Sequence, residues 1–164
     1  MGRNSWRRIS WFLLSCLFVG GSVGFCGSSV VLTIMGGVAA KSGQIELSLA
    51  DLESMGSVEL NTHTPWTEGQ QTFTGVLVSK LLQEVGPQGE MIDAIALDDR
   101  KVTIPRKELE KYPIIIAFKH NGRYMRIRDK GPLWIIYPLD DYPELRTLQR
   151  ERRMLWHLQA LMIK

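Results

Sequence analysis

Residues Ile9 to Ala40 carry no charged side chain, and they come after an N-terminus bearing Arg3, Arg7 and Arg8. A basic start, an apolar middle and small residues at the end are the three parts of a secretory signal. Val38-Ala39-Ala40 supplies the small residues that a signal peptidase reads, which places cleavage before Lys41. The uncharged stretch exceeds the roughly 20 residues that span a bilayer, so an uncleaved signal anchor is the alternative. Its glycines, among them Gly20, Gly21, Gly24 and Gly27, weaken it as a membrane helix and favour cleavage. Leu13-Leu14-Ser15-Cys16 is loosely like a lipoprotein acylation site but comes early in the apolar run. The chain therefore divides into an export segment, 1–40, and a single small domain, 41–164, delivered to the far side of a membrane.

This division changes the meaning of the composition. The whole chain has 20 Lys+Arg against 17 Asp+Glu, and the three leading arginines account for the entire excess. The exported domain is formally neutral, with none of the basic stripe that a nucleic-acid backbone requires. Both cysteines, Cys16 and Cys26, also lie in the export segment. The domain has no thiol for a disulfide or a metal, and its roughly 120 residues depend on an apolar core alone.

Hydrophobic periodicity predicts short strands and short helices. Ile45-Glu46-Leu47 alternates as a strand, and Ser48 with Asp51 forms a capping box for a helix that ends at Gly56. Val58 to Thr64 is a second strand, and Trp66 to Gln70 a loop. Phe73 to Val76 leads into Leu77, Leu81, Leu82 and Val85 at helical spacing, closed by Gly86-Pro87. Strands are expected over Ile92–Leu97, Val102–Ile104, Ile114–Phe118 and Leu133–Tyr137, with a short helix from Pro105 to Lys111. Asn121-Gly122 marks a hairpin, after which Tyr124, Arg126 and Arg128 should face one side and Met125 and Ile127 the other. Pro143 to Leu148 reads as a helical turn, and Met154 to Ile163 as a strand or helix. The class is α+β, a mixed sheet with short helices.

Enzyme signatures are weak. His63, His120 and His157 are scattered, and Asp98-Asp99 and Asp140-Asp141 sit in turn contexts. No phosphate-binding glycine loop or nucleophile motif is present. Aromatic and basic residues near strand ends stand out more. Trp66 follows Pro65, and Trp134 lies close to Arg126, Arg128, Asp129 and Lys130. Such groups can stack on a flat heterocycle and read its polar edge, although core tryptophans beside a solvated strand face would produce the same pattern.

From Ile45 to Ile163 the chain resembles the molybdopterin-binding domain of the sulfite-oxidase-like oxidoreductases. The matching pieces are the Trp66 loop, Phe73-Thr74-Gly75-Val76-Leu77, Ile104-Pro105, Ile115-Ile116-Ala117, Asn121-Gly122 and Lys130-Gly131-Pro132 with the strand to Pro138. Two departures bear on function. The place of the family's molybdenum-binding cysteine falls near Thr62, and a hydroxyl is no equivalent of a soft thiolate. The arginine that the family carries after Gly-x-Pro is Trp134 here. Both changes argue against molybdenum cofactor and for a smaller, unphosphorylated pterin, such as a neopterin- or monapterin-like compound. The run from Arg128 to Asp140 is similar to that of a branch of small periplasmic pterin-binding sensors.

The resemblance implies a non-catalytic sensor that signals to the periplasmic domain of a membrane-bound diguanylate cyclase or phosphodiesterase and so influences biofilm formation. It implies a pterin walled by Trp66, Trp134 and Tyr137, its edge read by Asp129, with Arg128 and Lys130 on the carbonyl or polyol side. Thr62 and His63 would contribute hydrogen bonds from the lost metal site. Asp98 and Asp99 are the other acids that could read the edge, and Arg146 to Arg153 offers a partner contact or a solvated helix end. A molybdopterin-dependent oxidoreductase with non-thiolate ligands is one alternative, and an interaction domain without a ligand is another.

Overall fold

Among the described residues, alternating apolar and polar side chains form ten strands in two sheets, linked by four helices of six to eight residues. The computed structural model describes residues 29–38, 42–86 and 89–164, so Arg3, Arg7, Arg8, both cysteines and the Ala40–Lys41 junction lie outside the described residues. The first sheet has the order β2-β1-β10-β5-β6. Its strands are β1 (Val30–Gly36), β2 (Gln44–Ser48), β5 (Met91–Ala96), β6 (Lys101–Pro105) and β10 (Leu158–Ile163). The second runs β3-β4-β7-β8, with β9 also paired to β7. It comprises β3 (Val58–Thr62), β4 (Gln71–Leu77), β7 (Ile115–His120), β8 (Arg123–Tyr124) and β9 (Trp134–Ile136). The class is the α+β mixed-sheet architecture expected.

The export boundary requires correction. Val30–Gly36, placed above inside the segment 1–40, is a strand between β2 and β10, antiparallel to the first and parallel to the second. Leu32 and Ile34 are fully buried there. The segment is rich in β-branched residues, as a strand should be, but it continues an uncharged run and so is not set apart by charge. A domain with this sheet starts before Val30, and cleavage after Ala40 would remove one of its interior strands.

Local signals elsewhere match the structure. Ser48 and Asp51 make a reciprocal capping box on helix α1 (Leu49–Ser54). Gly86, in the left-handed region, ends α2 (Val78–Val85), whose Val78, Leu81, Leu82 and Val85 are buried. Gly75 sits at a register shift between β4 and β7, where a Cβ would collide with the Ile116 carbonyl. The hairpin at Asn121-Gly122 has positive φ at both residues, but β8 stops at Tyr124. Ile127–Asp129 is a 3-10 turn, so the expected alternation ends: Met125 is buried and Ile127 is 63% exposed.

One charged cluster joins three elements. Glu108, on α3 (Arg106–Lys111), accepts from Tyr137 Oη at 2.8 Å and Arg150 Nε at 3.1 Å. Arg153 Nη1 reaches its two oxygens at 2.8 and 2.9 Å, and both arginines lie on α4 (Leu148–Arg153). Burial raises the Glu108 pKa, but these donors more than offset that and hold the carboxyl below the ordinary glutamate range. Burial and the adjacent carboxylate push the Tyr137 phenol far up.

A chain beginning at Lys41 should lack a cooperative thermal transition by circular dichroism, whereas one beginning at Ser29 should show it; equal melting would refute the role of β1. Glu108→Gln should cost about 2–3 kcal/mol at neutral pH by urea unfolding. Because the folded pKa of Glu108 is lowered, its contribution is complete above the ordinary value of 4.5 and is lost as pH falls through the lowered folded value. The stability gap between wild type and variant should therefore narrow as acid is added below that pH.

Candidate functional site

Three tryptophans from distant parts of the sequence meet where the two sheets join. The Trp66 and Trp156 ring centroids lie 5.1 Å apart, edge to face, and Trp134 is 6.2 Å from each. The chain places them by backbone pairing. Trp134 opens β9, pairs with Ala117 of β7 on one side and forms a bridge to Trp156 on the other, just before β10. Its indole Nε1 donates to the Met154 carbonyl at 3.0 Å. Phe73 stands edge-on to Trp134 at 5.3 Å and stacks on His120 at 4.9 Å. The result is a continuous aromatic column.

A cleft of about 350 Å³ opens at the Trp66–Trp156 end. Met154 and Leu155 are buried at its base, and both tryptophans are half-buried, so each offers part of a ring to solvent. Arg100 holds its guanidinium carbon 4.7 Å from the centre of the Trp156 ring, and Lys101 and Arg152 complete the rim. Its size is within the usual range for small-molecule sites, and its walls suit a flat heterocycle.

A second cleft, of about 530 Å³, lies on the surface beside His120, lined by Arg123, Tyr124, Arg126 and Asp129 over buried Met125. Arg123, Arg126 and Asp129 give it a charged wall. His120 is held below its ordinary pKa by burial and by the Lys130 charge, so its ring is neutral at physiological pH. Its Nε2 meets Gln71 Oε1 at 2.8 Å.

The predicted site residues divide among four places. Trp66 stands in the tryptophan cleft. Trp134 supports it from behind but is 1% exposed, so it packs the wall and presents no open face. Lys130 Nζ is 5.7 Å from the Trp134 ring centre, beside the column. Arg128 and Asp129 lie instead on the exposed 3-10 turn, where Asp129 pairs with Arg126 at 2.6 Å and with Arg128 at only 3.9 Å. Tyr137 is fully buried with its hydroxyl committed to Glu108, which corrects its expected role as a pterin wall. Asp98 pairs with Arg100 at 2.7 Å, and Asp99 occupies a left-handed turn position.

Thr62 and His63 belong to a structural hub around Asp140. Thr62 is fully buried; its hydroxyl donates to the His63 carbonyl and accepts from the Asp140 amide. Asp140 accepts from the His63 amide, from Gln70 and from Arg146, and lies 2.8 Å from His63 Nδ1. Burial raises its pKa, but the contacts from His63 and Gln70 outweigh that and hold it low. At the position where the resemblance would put a molybdenum-binding cysteine, the Thr62 hydroxyl is thus engaged on both sides, and a hydroxyl is not a soft thiolate ligand. Among the described residues no group of three or more His, Cys, Asp or Glu side chains could hold a metal.

Trp156, Arg100, Lys101 and Arg152 are cleft residues that sequence reasoning missed. Arg100 lies in a polar turn and Trp156 in a terminal element of unspecified type, and only the pairing of β10 with β5 and the Trp134–Trp156 bridge bring them together.

No family model matches the chain, and no curated protein matches it. Among solved structures it is similar to the sulfane dehydrogenase SoxCD from Paracoccus pantotrophus, with a TM-score of 0.61 and 18% identity. The match covers 83% of this chain but 38% of that one, so this chain spans well under half the length of the structure it resembles. At that identity the likeness shows a shared fold alone, an α+β architecture of mixed sheets with short helices, in agreement with the fold that the resemblance implies.

Proposed function

We propose that this chain is a periplasmic, non-catalytic pterin-binding domain that signals to the periplasmic part of a membrane-bound cyclic di-GMP enzyme and so influences biofilm formation. The observation that carries the binding step is the cleft between Trp66 and Trp156, with Trp134 packed behind both. Two half-buried indoles at a base of Met154 and Leu155 provide aromatic and apolar contact for a bicyclic ring, while Arg100, whose guanidinium lies on Trp156, can meet its carbonyl. The resemblance carried by the run from Arg128 to Asp140 supports the choice of a pterin over other flat rings. The engaged hydroxyl of Thr62 supports binding without molybdenum.

Signalling depends on ligand linkage. A domain that carries out no reaction influences its partner only if the ligand favours one surface arrangement over another. The column from Trp156 through Trp134 and Phe73 to His120 connects the ligand cleft to the charged cleft beside Arg126 and Asp129, so a shift at one end has a packed route to the other.

Titrating a pterin into the purified domain should quench tryptophan fluorescence. Trp66→Ala and Trp156→Ala should each weaken binding about tenfold or more, while Arg128→Ala, on the exposed turn, should leave it within about twofold. Unchanged affinity in both tryptophan variants would refute the assigned cleft. Stoichiometric molybdenum in protein isolated from the periplasm would overturn the non-catalytic reading in favour of an oxidoreductase.

A further inference from the structure

Every charged side chain that lines the tryptophan cleft is a cation. Among the described residues, Arg100, Lys101 and Arg152 contribute to the lining and no carboxylate does. Three different demands on these cations can be separated. Arg100 uses Nε on Asp98 at 2.7 Å and lays its guanidinium on Trp156 at 4.7 Å, which leaves its terminal nitrogens at the cleft. Lys101 is 3.5 Å from Asp93, a carboxylate that also meets Lys164 at 2.5 Å, so one acid serves two ammonium groups. Arg152 is exposed and makes no hydrogen bond or ion pair among the described residues, whereas Arg150 and Arg153, on the same helix, are both committed to Glu108.

Arg100 has Asp98 and Lys101 shares Asp93 with Lys164, while Arg152 has no acid, so the rim carries more positive than negative charge, and a bound anion relieves the remaining repulsion. Guanidinium groups also recognise carboxylate and phosphate oxygens through paired donors. We infer that the pterin held between Trp66 and Trp156 carries an anionic substituent, a carboxylate or a phosphate ester, bound by Arg152 together with Arg100 and Lys101. This rests on the pterin reading above and departs from the neutral-tailed ligand that Trp134, standing in place of the family's arginine, implies on its own. The positive charge missing from β9 is supplied instead by the β5–β6 turn and by α4.

The test is calorimetric titration of the purified domain with three probes: 6-hydroxymethylpterin, which is neutral, 6-carboxypterin, and a phosphate ester of neopterin. At low ionic strength at least one anionic probe should bind about tenfold tighter than the neutral one. The tighter of the two anionic probes identifies the group. That preference should shrink in high salt, and it should fall to within about twofold in Arg152→Ala and in Lys101→Ala, with neutral-probe affinity little changed. Both side chains are exposed, and matching thermal melts would show that the variants fold. Equal binding of all three probes, or a preference untouched by either substitution, overturns the inference while leaving pterin binding in place. Failure of every probe to bind removes the pterin reading itself, and the inference with it.

Discussion

The burial of Trp134 is the interaction on which the rest of the structure depends. It begins the short strand β9, lies against β7 of the second sheet, and bridges to Trp156 at the entry to β10 of the first. Neighbouring backbone bonds repeat the join: Ile135 donates to Leu155, and Leu158 to Leu133. A large indole whose nitrogen finds a buried carbonyl can occupy such a seam without leaving a polar group unsatisfied. Truncating a buried tryptophan costs about 3–5 kcal/mol, a large part of the stability of a domain this size.

The same seam organises both candidate surfaces. Trp66 and Trp156 are held at angles that leave each ring partly open because Trp134 fills the space behind them. Phe73 and His120 extend the packing to the opposite side, where Arg123, Arg126 and Asp129 surround a wider and more polar cleft. The apolar cleft and the charged one are thus two ends of one packed column. Glu108 secures the flank: by binding Tyr137, Arg150 and Arg153 it fixes α4, and with it the position from which Arg152 reaches the cleft rim.

Much of the fold is legible in the sequence because its signals are local. The Ser48–Asp51 cap, the apolar face of α2, the Gly86 stop and the Asn121-Gly122 hairpin each depend on residues a few positions apart, and each appears where expected. Val30–Gly36 escapes such a reading because its strand character is hidden in a longer uncharged run. Charge marks where an export segment starts more clearly than where a buried strand takes over. Asp129 is a natural candidate to read a ligand edge, but within three residues it finds Arg126, a partner that a one-dimensional pattern does not distinguish from a ligand contact.

The sequence by itself determined that both cysteines lie in a charge-free N-terminal run and that the remainder is a neutral α+β domain without thiols. These conclusions require only composition, short-range periodicity and motif order. The tertiary structure decided which tryptophan faces are open, that Tyr137 is part of the core, and that Arg100, Arg152 and Trp156 share a cleft. It decided them because β10 runs between β1 and β5, and that non-local pairing brings residues more than fifty positions apart to one rim.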